Sequence, residues 1–167
     1  MSQDNKLIKS LIQNAQAGMN SAFEQLYKIN CGRVYAVCFR ILANKTEAEK
    51  MTVKVFFTAW QQIKFMRSDM TFSSWLTGIT VFTVLQLIRE NAAEIQAKQP
   101  ISTKFPSLSP LELSILNLPQ DERTVVVLHD VEHYTFNETT DMIGVPPRGV
   151  RALLNSAHKK IISDIDL

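Results

Sequence analysis

The sequence predicts an all-α protein, an N-terminal helical bundle joined by a linker to a smaller C-terminal helix-turn-helix domain. Three observations lead to this reading. Apolar residues recur at intervals of three and four over long stretches, the spacing of one helix face. Glycine occurs only five times in 167 residues, and strand-like alternation is rare. One polar, proline-bearing tract, NAAEIQAKQPISTKFPSLSP, separates two periodic regions and has no period of its own, as a linker does. The expected boundaries are 1–92 for the bundle, 93–110 for the linker and 111–167 for the second domain.

In SAFEQLYKINCGRVYAVCFRILAN, residues Phe23, Leu26, Tyr27, Val34, Val37, Cys38 and Ile41 fall at helical spacing. NKTEAEKMTVKVFFTAWQQIKFM follows, with Thr46 and Glu49 at the spacing of a capping box. TFSSWLTGITVFTVLQLIREN is strongly apolar and reads as a helix buried against the previous two, although Val81 to Val84 also carry strand propensity. Beyond the linker, Pro119, Asp121 and Glu122 mark a helix start. TFNETTDMIG is a short helix ended by Gly144, and VPPRGVRALLNSAHKKIISDI is the last helix.

Bulk composition narrows the function classes. Hydrophobic residues make up 46% and charged residues 20%, an ordinary globular balance. The net charge of +2 is a faint pointer to an anionic partner. No apolar run approaches the ~20 residues of a membrane span, and MSQDNKLIKSLIQ lacks the pattern of a signal peptide; a cytoplasmic protein with no membrane insertion is expected. Cys31 and Cys38 are too far apart on a helix for a disulfide and read as buried reduced thiols. His129 and His133, four apart with Asp130 and Glu132 between them, resemble half a metal site but lack further ligands nearby. No phosphate loop, nucleophile elbow or paired-carboxylate arrangement stands out. The chain is therefore expected to need no metal or cofactor and not to be an enzyme.

The last two helices and their Gly-containing turn form a helix-turn-helix candidate. Ile143, Val145, Val150 and Leu153 would pack the second helix across the first. Its outer face would carry Arg148, Arg151, Asn155, His158 and Lys159. Such a face can enter a major groove, with cations on phosphates and Arg or Asn on base edges. Pro146 and Pro147 fit the turn and the first helical position, where no intrahelical N–H is required. The alternative is a surface helix with a solvated basic face.

LPQDERTVVVLHDVEHYTFNETTDMIGVPPRGVRALLNSAHKKI resembles the C-terminal promoter-binding domain of bacterial RNA polymerase sigma factors. FEQLYKINCGRVYAVCFRILANKTEAEKMTVKVFFTAWQQIKFMRSDMTFSSWLTGI resembles their N-terminal conserved domain. The order and spacing are similar to those of the small extracytoplasmic-function class, over residues of about 20 to 162. The resemblance implies a non-catalytic protein that binds core RNA polymerase and promoter DNA, and that an anti-sigma protein clamping both domains regulates. By position, EAEKMTVKVFFTAW matches the polymerase-docking helix, which implies docking by Glu47, Glu49, Phe56 and Trp60. FMRSDMTFSSWL matches the segment that acts at the opened promoter, which implies roles for Arg67, Asp69 and Trp75, with Arg89 on the helix that follows. Core packing is the competing use of Phe56, Trp60 and Trp75.

Several contact positions depart from the family pattern. Lys50 and Lys54 stand where acids are usual. Val81 and Phe82 replace Arg and Asn, Gln86 replaces Asp, and Glu90 replaces a final Arg, so Arg89 is the one cation left in that stretch. Single-stranded DNA needs positive charge and stacking surfaces, and this stretch offers little of the first. The last helix has lost two or three arginines, and each lost phosphate contact weakens binding and flattens its salt dependence. Thr139 and Thr140 replace an Ile-Ala pair. Two functions follow as expectations: a sigma factor that directs promoter-specific initiation, or a sigma-like regulatory interaction protein that has lost promoter recognition.

Overall fold

The computed structural model describes residues 3–90 and 108–165, and every regular element among them is helical. All but the last three residues of the linker expected over 93–110 lie outside the described residues. The described chain groups into two compact units. One comprises residues up to Cys38 together with Thr46–Thr83; the other comprises Phe39–Lys45 together with residues from Val84 onward.

The first unit is built from α1 (Gln3–Gln16), most of α2 (Asn20–Leu42), α3 (Lys45–Gln62), a 3-10 turn (Ile63–Phe65) and the first two-thirds of α4 (Phe72–Glu90). Gly18, at φ 91°, turns the chain between α1 and α2, a backbone conformation that a side chain would strain. The Gln16 amide donates to the Ile63 carbonyl at 3.1 Å, fixing the end of α1 to the 3-10 turn. Leu26, Val37, Cys38, Ala48, Val55, Ala59, Ile63, Leu76 and Val81 form a core that is almost wholly excluded from water.

The strand-prone TVFTV segment is helical for a local reason. Thr80 and Thr83 hydroxyls donate to the carbonyls four residues back, Leu76 and Ile79, both at 2.8 Å. Buried threonine is thereby satisfied inside its own helix, and Val81 and Val84 are free to fill the core. Thr52 does the same toward Ala48 on α3. One expected boundary is corrected. The third helix begins at Lys45, so Asn44 takes the cap position expected of Thr46. The cause is Ala43, whose left-handed φ of 51° ends α2 abruptly and leaves only two residues for the connection.

The second unit contains α5 (Pro110–Asn117), α6 (Gln120–Val126) running directly into a π-helical turn (Val127–Val131), α7 (Phe136–Ile143) and α8 (Pro147–Ile165). Ser109 caps α5 by accepting the Glu112 N–H. Thr135 and Glu138 form a reciprocal capping box on α7; hydrogen bonds from the Thr135 hydroxyl and N–H hold the Glu138 carboxyl below its usual range. Gly144, at φ 71°, ends α7 as expected and donates to the Thr140 carbonyl at 2.9 Å.

At the centre of this unit Arg123 is 7% exposed. Its guanidinium donates to the carbonyls of Ile41 (2.9 Å), Leu116 (3.1 Å) and Leu118 (2.7 Å) and to the Gln120 side chain (2.7 Å). These oxygens lie at helix ends, where carbonyls lack intrahelical partners. Burial pushes the Arg123 pKa down to about 10, which leaves it charged at neutral pH. Glu122, equally buried, accepts from Lys160 at 2.7 Å and Ser156 at 2.9 Å, fastening α8 to α6.

Candidate nucleic-acid and protein interfaces

α7, its glycine turn and α8 form the expected helix-turn-helix corner. α8 starts at Pro147, and the Pro146 carbonyl accepts from Val150 N–H at 3.1 Å. Both prolines therefore sit where no backbone donor is needed. Gly149 is required by packing: a Cβ there would lie 2.5 Å from Val145 Cγ1. Val150, Leu154, Ala157 and Ile161 face inward. Arg148, Arg151, Asn155, His158 and Lys159 are all exposed, at the spacing of one outward stripe.

Two members of that stripe are held by neighbours. The Arg151 guanidinium lies over the Phe136 ring, 5.3 Å from its centroid, a cation–π contact. His158 Nε2 bonds Asp130 Oδ2 at 2.7 Å, and His129 Nδ1 bonds Asp130 Oδ1 at 2.8 Å. His129 also packs on the Phe136 ring, with centroids 4.4 Å apart. Partial burial works to raise the Asp130 pKa, but hydrogen bonds from the two imidazoles outweigh it and hold the carboxyl below its ordinary value.

The half metal site imagined at His129 and His133 does not form. The π-helical turn breaks the four-residue register, and His133 leaves the helix at a left-handed φ of 61°. Among the described residues no group of three or more His, Cys, Asp or Glu is arranged to hold a metal ion. Asp130 is the residue that sequence reasoning missed, because its partner His158 is 28 positions away.

On the docking helix α3 the structure separates the expected residues. Phe56 is 4% exposed and packs against Phe23 and Tyr27, with ring centroids at 6.4 and 4.7 Å. The expectation that Phe56 docks a partner is thereby corrected in favour of core packing. Trp60 is half-buried, 5.0 Å from Phe23, and lines a shallow groove with Asn20, Glu24 and Tyr27. Glu49 is exposed and Glu47 half-exposed; Glu47 accepts from Lys50 at 3.0 Å, so one reversed charge is balanced within the helix. The apolar side chains turned outward are Val53, 68% exposed, and Phe57, 62% exposed. Their signal was present in the sequence, since both fall off the buried series Ala48, Met51, Thr52, Val55, Phe56 and Ala59.

Arg67 and Asp69 pair with each other at 2.6 Å on an exposed loop. Trp75 is half-buried at the start of α4, 5.7 Å from Phe72. Val81 lies in the core, whereas Phe82 is 67% exposed. Gln86 bonds Glu90 at 3.0 Å. Arg89, exposed, donates to the Met142 carbonyl at 2.7 Å. Cys38 is fully buried, with its thiol pushed up to about 12; Cys31 is only half-buried, a departure from the expectation for both.

Among the described residues the chain is helical throughout, with a basic stripe on the outer face of a helix-turn-helix corner. Residues 26–94 match the family model of sigma-70 region 2. The chain is 24% identical over 177 residues to the ECF RNA polymerase sigma factor SigW of Bacillus subtilis strain 168, covering 93% of this chain and 95% of that protein. It is 24% identical over 161 residues to the ECF RNA polymerase sigma factor SigE of Mycolicibacterium smegmatis, covering 87% and 62%. The fold is similar to CnrH, solved in complex with the cytosolic domain of CnrY, with a TM-score of 0.62, 20% identity and coverage of 96% of this chain and 97% of that one. It is also similar to the sigma factor RpoE solved with the anti-sigma factor NepR from Bartonella quintana, with a TM-score of 0.62, 14% identity and coverage of 87% and 97%. Along most of its length the chain is thus similar to RNA polymerase sigma factors of the extracytoplasmic-function class.

Proposed function

We propose that this protein binds core RNA polymerase and directs promoter-specific transcription initiation, as a non-catalytic cytoplasmic factor. The observation that carries the reading is likeness to an ECF sigma factor along 93% of the chain. The outward basic stripe at the position of the upstream-element reader supports it. Residues 1–92 act as the polymerase- and minus-ten-binding domain and 111–167 as the upstream-element domain. Glu47, Glu49 and Trp60 contact polymerase, with Phe57 in the place expected of Phe56. Arg67, Asp69, Trp75 and Arg89 act at the opened promoter. Arg148, Arg151, Asn155, His158 and Lys159 contact duplex DNA. An anti-sigma protein is the partner that the RpoE complex points to. None of the described helices is long and apolar enough to cross a membrane, which fits a factor working beside the polymerase.

The test is transcription by core polymerase reconstituted with this chain on a promoter library. Specific transcripts that depend on the chain establish the reading. A second reading has its own support: the exposed Phe82 and the bonded Arg89 leave α4 short of free cations for single-stranded DNA. Binding to core polymerase with no initiation on any promoter favours a sigma-like regulator without promoter recognition. Tight, salt-sensitive duplex binding without polymerase binding favours an independent helix-turn-helix repressor.

A further inference from the structure

The cluster His129–Asp130–His158 joins the π-helical turn to the outward face of α8. Each neutral imidazole has one N–H. With both N–H groups given to Asp130, through His129 Nδ1 and His158 Nε2, the cluster carries one negative charge beside the outward basic stripe of α8. The remaining nitrogens, His129 Nε2 and His158 Nδ1, are open to protons. Taking up two protons changes the cluster from −1 to +1. It also converts both contacts to charge-assisted hydrogen bonds, which are shorter and stronger.

We propose that Asp130 is the hub of a proton-sensitive clamp that fixes α8 to the π-helical turn and strengthens duplex-DNA binding as pH falls from about 8 to about 6. The proposal deepens the reading of α8 as a DNA-contacting helix and rests on it. Other charged groups lie on the elements packed here. On the π-helical turn and its exit these are Glu132 and His133. On α6 Glu122 is committed to Lys160 and Ser156. On α7 Glu138 caps Thr135, and Asp141 is exposed. On α8 Arg148 and Lys159 add to the positive field, and Arg151 sits on the same Phe136 ring as His129. Asp130, bonded to both imidazoles, is the controlling residue and acts by positioning and charge.

The experiment measures binding of the full chain to a pool of random-sequence duplex DNA across this pH range, with ring-proton NMR on the same samples. Two added charges predict affinity about tenfold higher near pH 6 than near pH 8 and a steeper salt dependence at the lower pH. The double substitution His129→Gln with His158→Gln should flatten the pH profile. Asp130→Asn should raise affinity near pH 8 and shift the ring signals of both His129 and His158 while leaving His133 unmoved. Binding that is independent of pH, or a pH profile that survives the double substitution, overturns the proposal and leaves the promoter-binding reading intact. Coupled ring signals with no duplex binding at any pH overturn the proposal, while the promoter-binding reading is decided separately by transcription with core polymerase. Uncoupled ring signals overturn the clamp directly.

Discussion

Thr139 is wholly buried, and neither its hydroxyl nor that of Thr140 meets a hydrogen-bonding partner. A buried, unsatisfied hydroxyl costs on the order of 1–3 kcal/mol, and valine has nearly the same shape. Thr139→Val should therefore stabilise the protein by about 1 kcal/mol, read as a higher midpoint in urea with an unchanged slope. A lower midpoint would show that the hydroxyl is satisfied in solution. Phe56 and Phe57 give a sharper contrast, because they are adjacent and their exposures are 4% and 62%. Phe56→Ala should cost about 3–5 kcal/mol of stability. Phe57→Ala should leave stability within about 0.5 kcal/mol of the parent and weaken binding to core polymerase. Unchanged polymerase binding by Phe57→Ala would remove Phe57 from the interface.

At the scale of elements, the angle between α7 and α8 is set by a contact of backbone against side chain. Gly149 allows Val145 within a distance that no Cβ permits. Val145 is β-branched and stiff, so it has few rotamers to escape into. Gly149→Ala should spread the turn, cost about 1–3 kcal/mol as overpacking does, and weaken duplex-DNA binding beyond what the stability loss explains. Unfolding and electrophoretic mobility-shift measurements on the same variant separate the two effects; unchanged values in both would show that the corner yields freely. The glycine C-cap of α7 and the proline start of α8 were legible in the sequence, since each depends on residues within four positions. The start of α3 was misplaced by two residues because Ala43 adopts a left-handed conformation unusual for alanine.

At the scale of the molecule, acid stability follows from carboxylates held below their ordinary values. Asp130 and Glu138 are both depressed, from 3.8 and 4.5. A depressed group contributes stability that is complete above its unfolded value and is lost as pH falls through its folded one. The unfolding free energy should therefore decline on acidification below about pH 4 and hold level with respect to these two groups above it. Asp130→Asn should shallow that decline in denaturant titrations; an unchanged slope would show that the imidazoles do not hold the carboxylate in solution. The same molecule is expected to bind duplex DNA with a flatter salt dependence than the family pattern implies, given the arginines missing from α8.

Helical period, caps and breakers determined by themselves that this chain is all-α, where α7 ends and α8 begins, and that a basic stripe lies opposite an apolar one on α8. Those features depend on neighbours within a turn, and the local sequence holds all the information they need. The tertiary structure alone decided that Arg123 would be buried among carbonyls from three places, that a π-helical turn would separate His129 from His133, and that Asp130 would meet His158. Each joins residues far apart in sequence or depends on how tightly helices close on one another, and no periodicity encodes such distances.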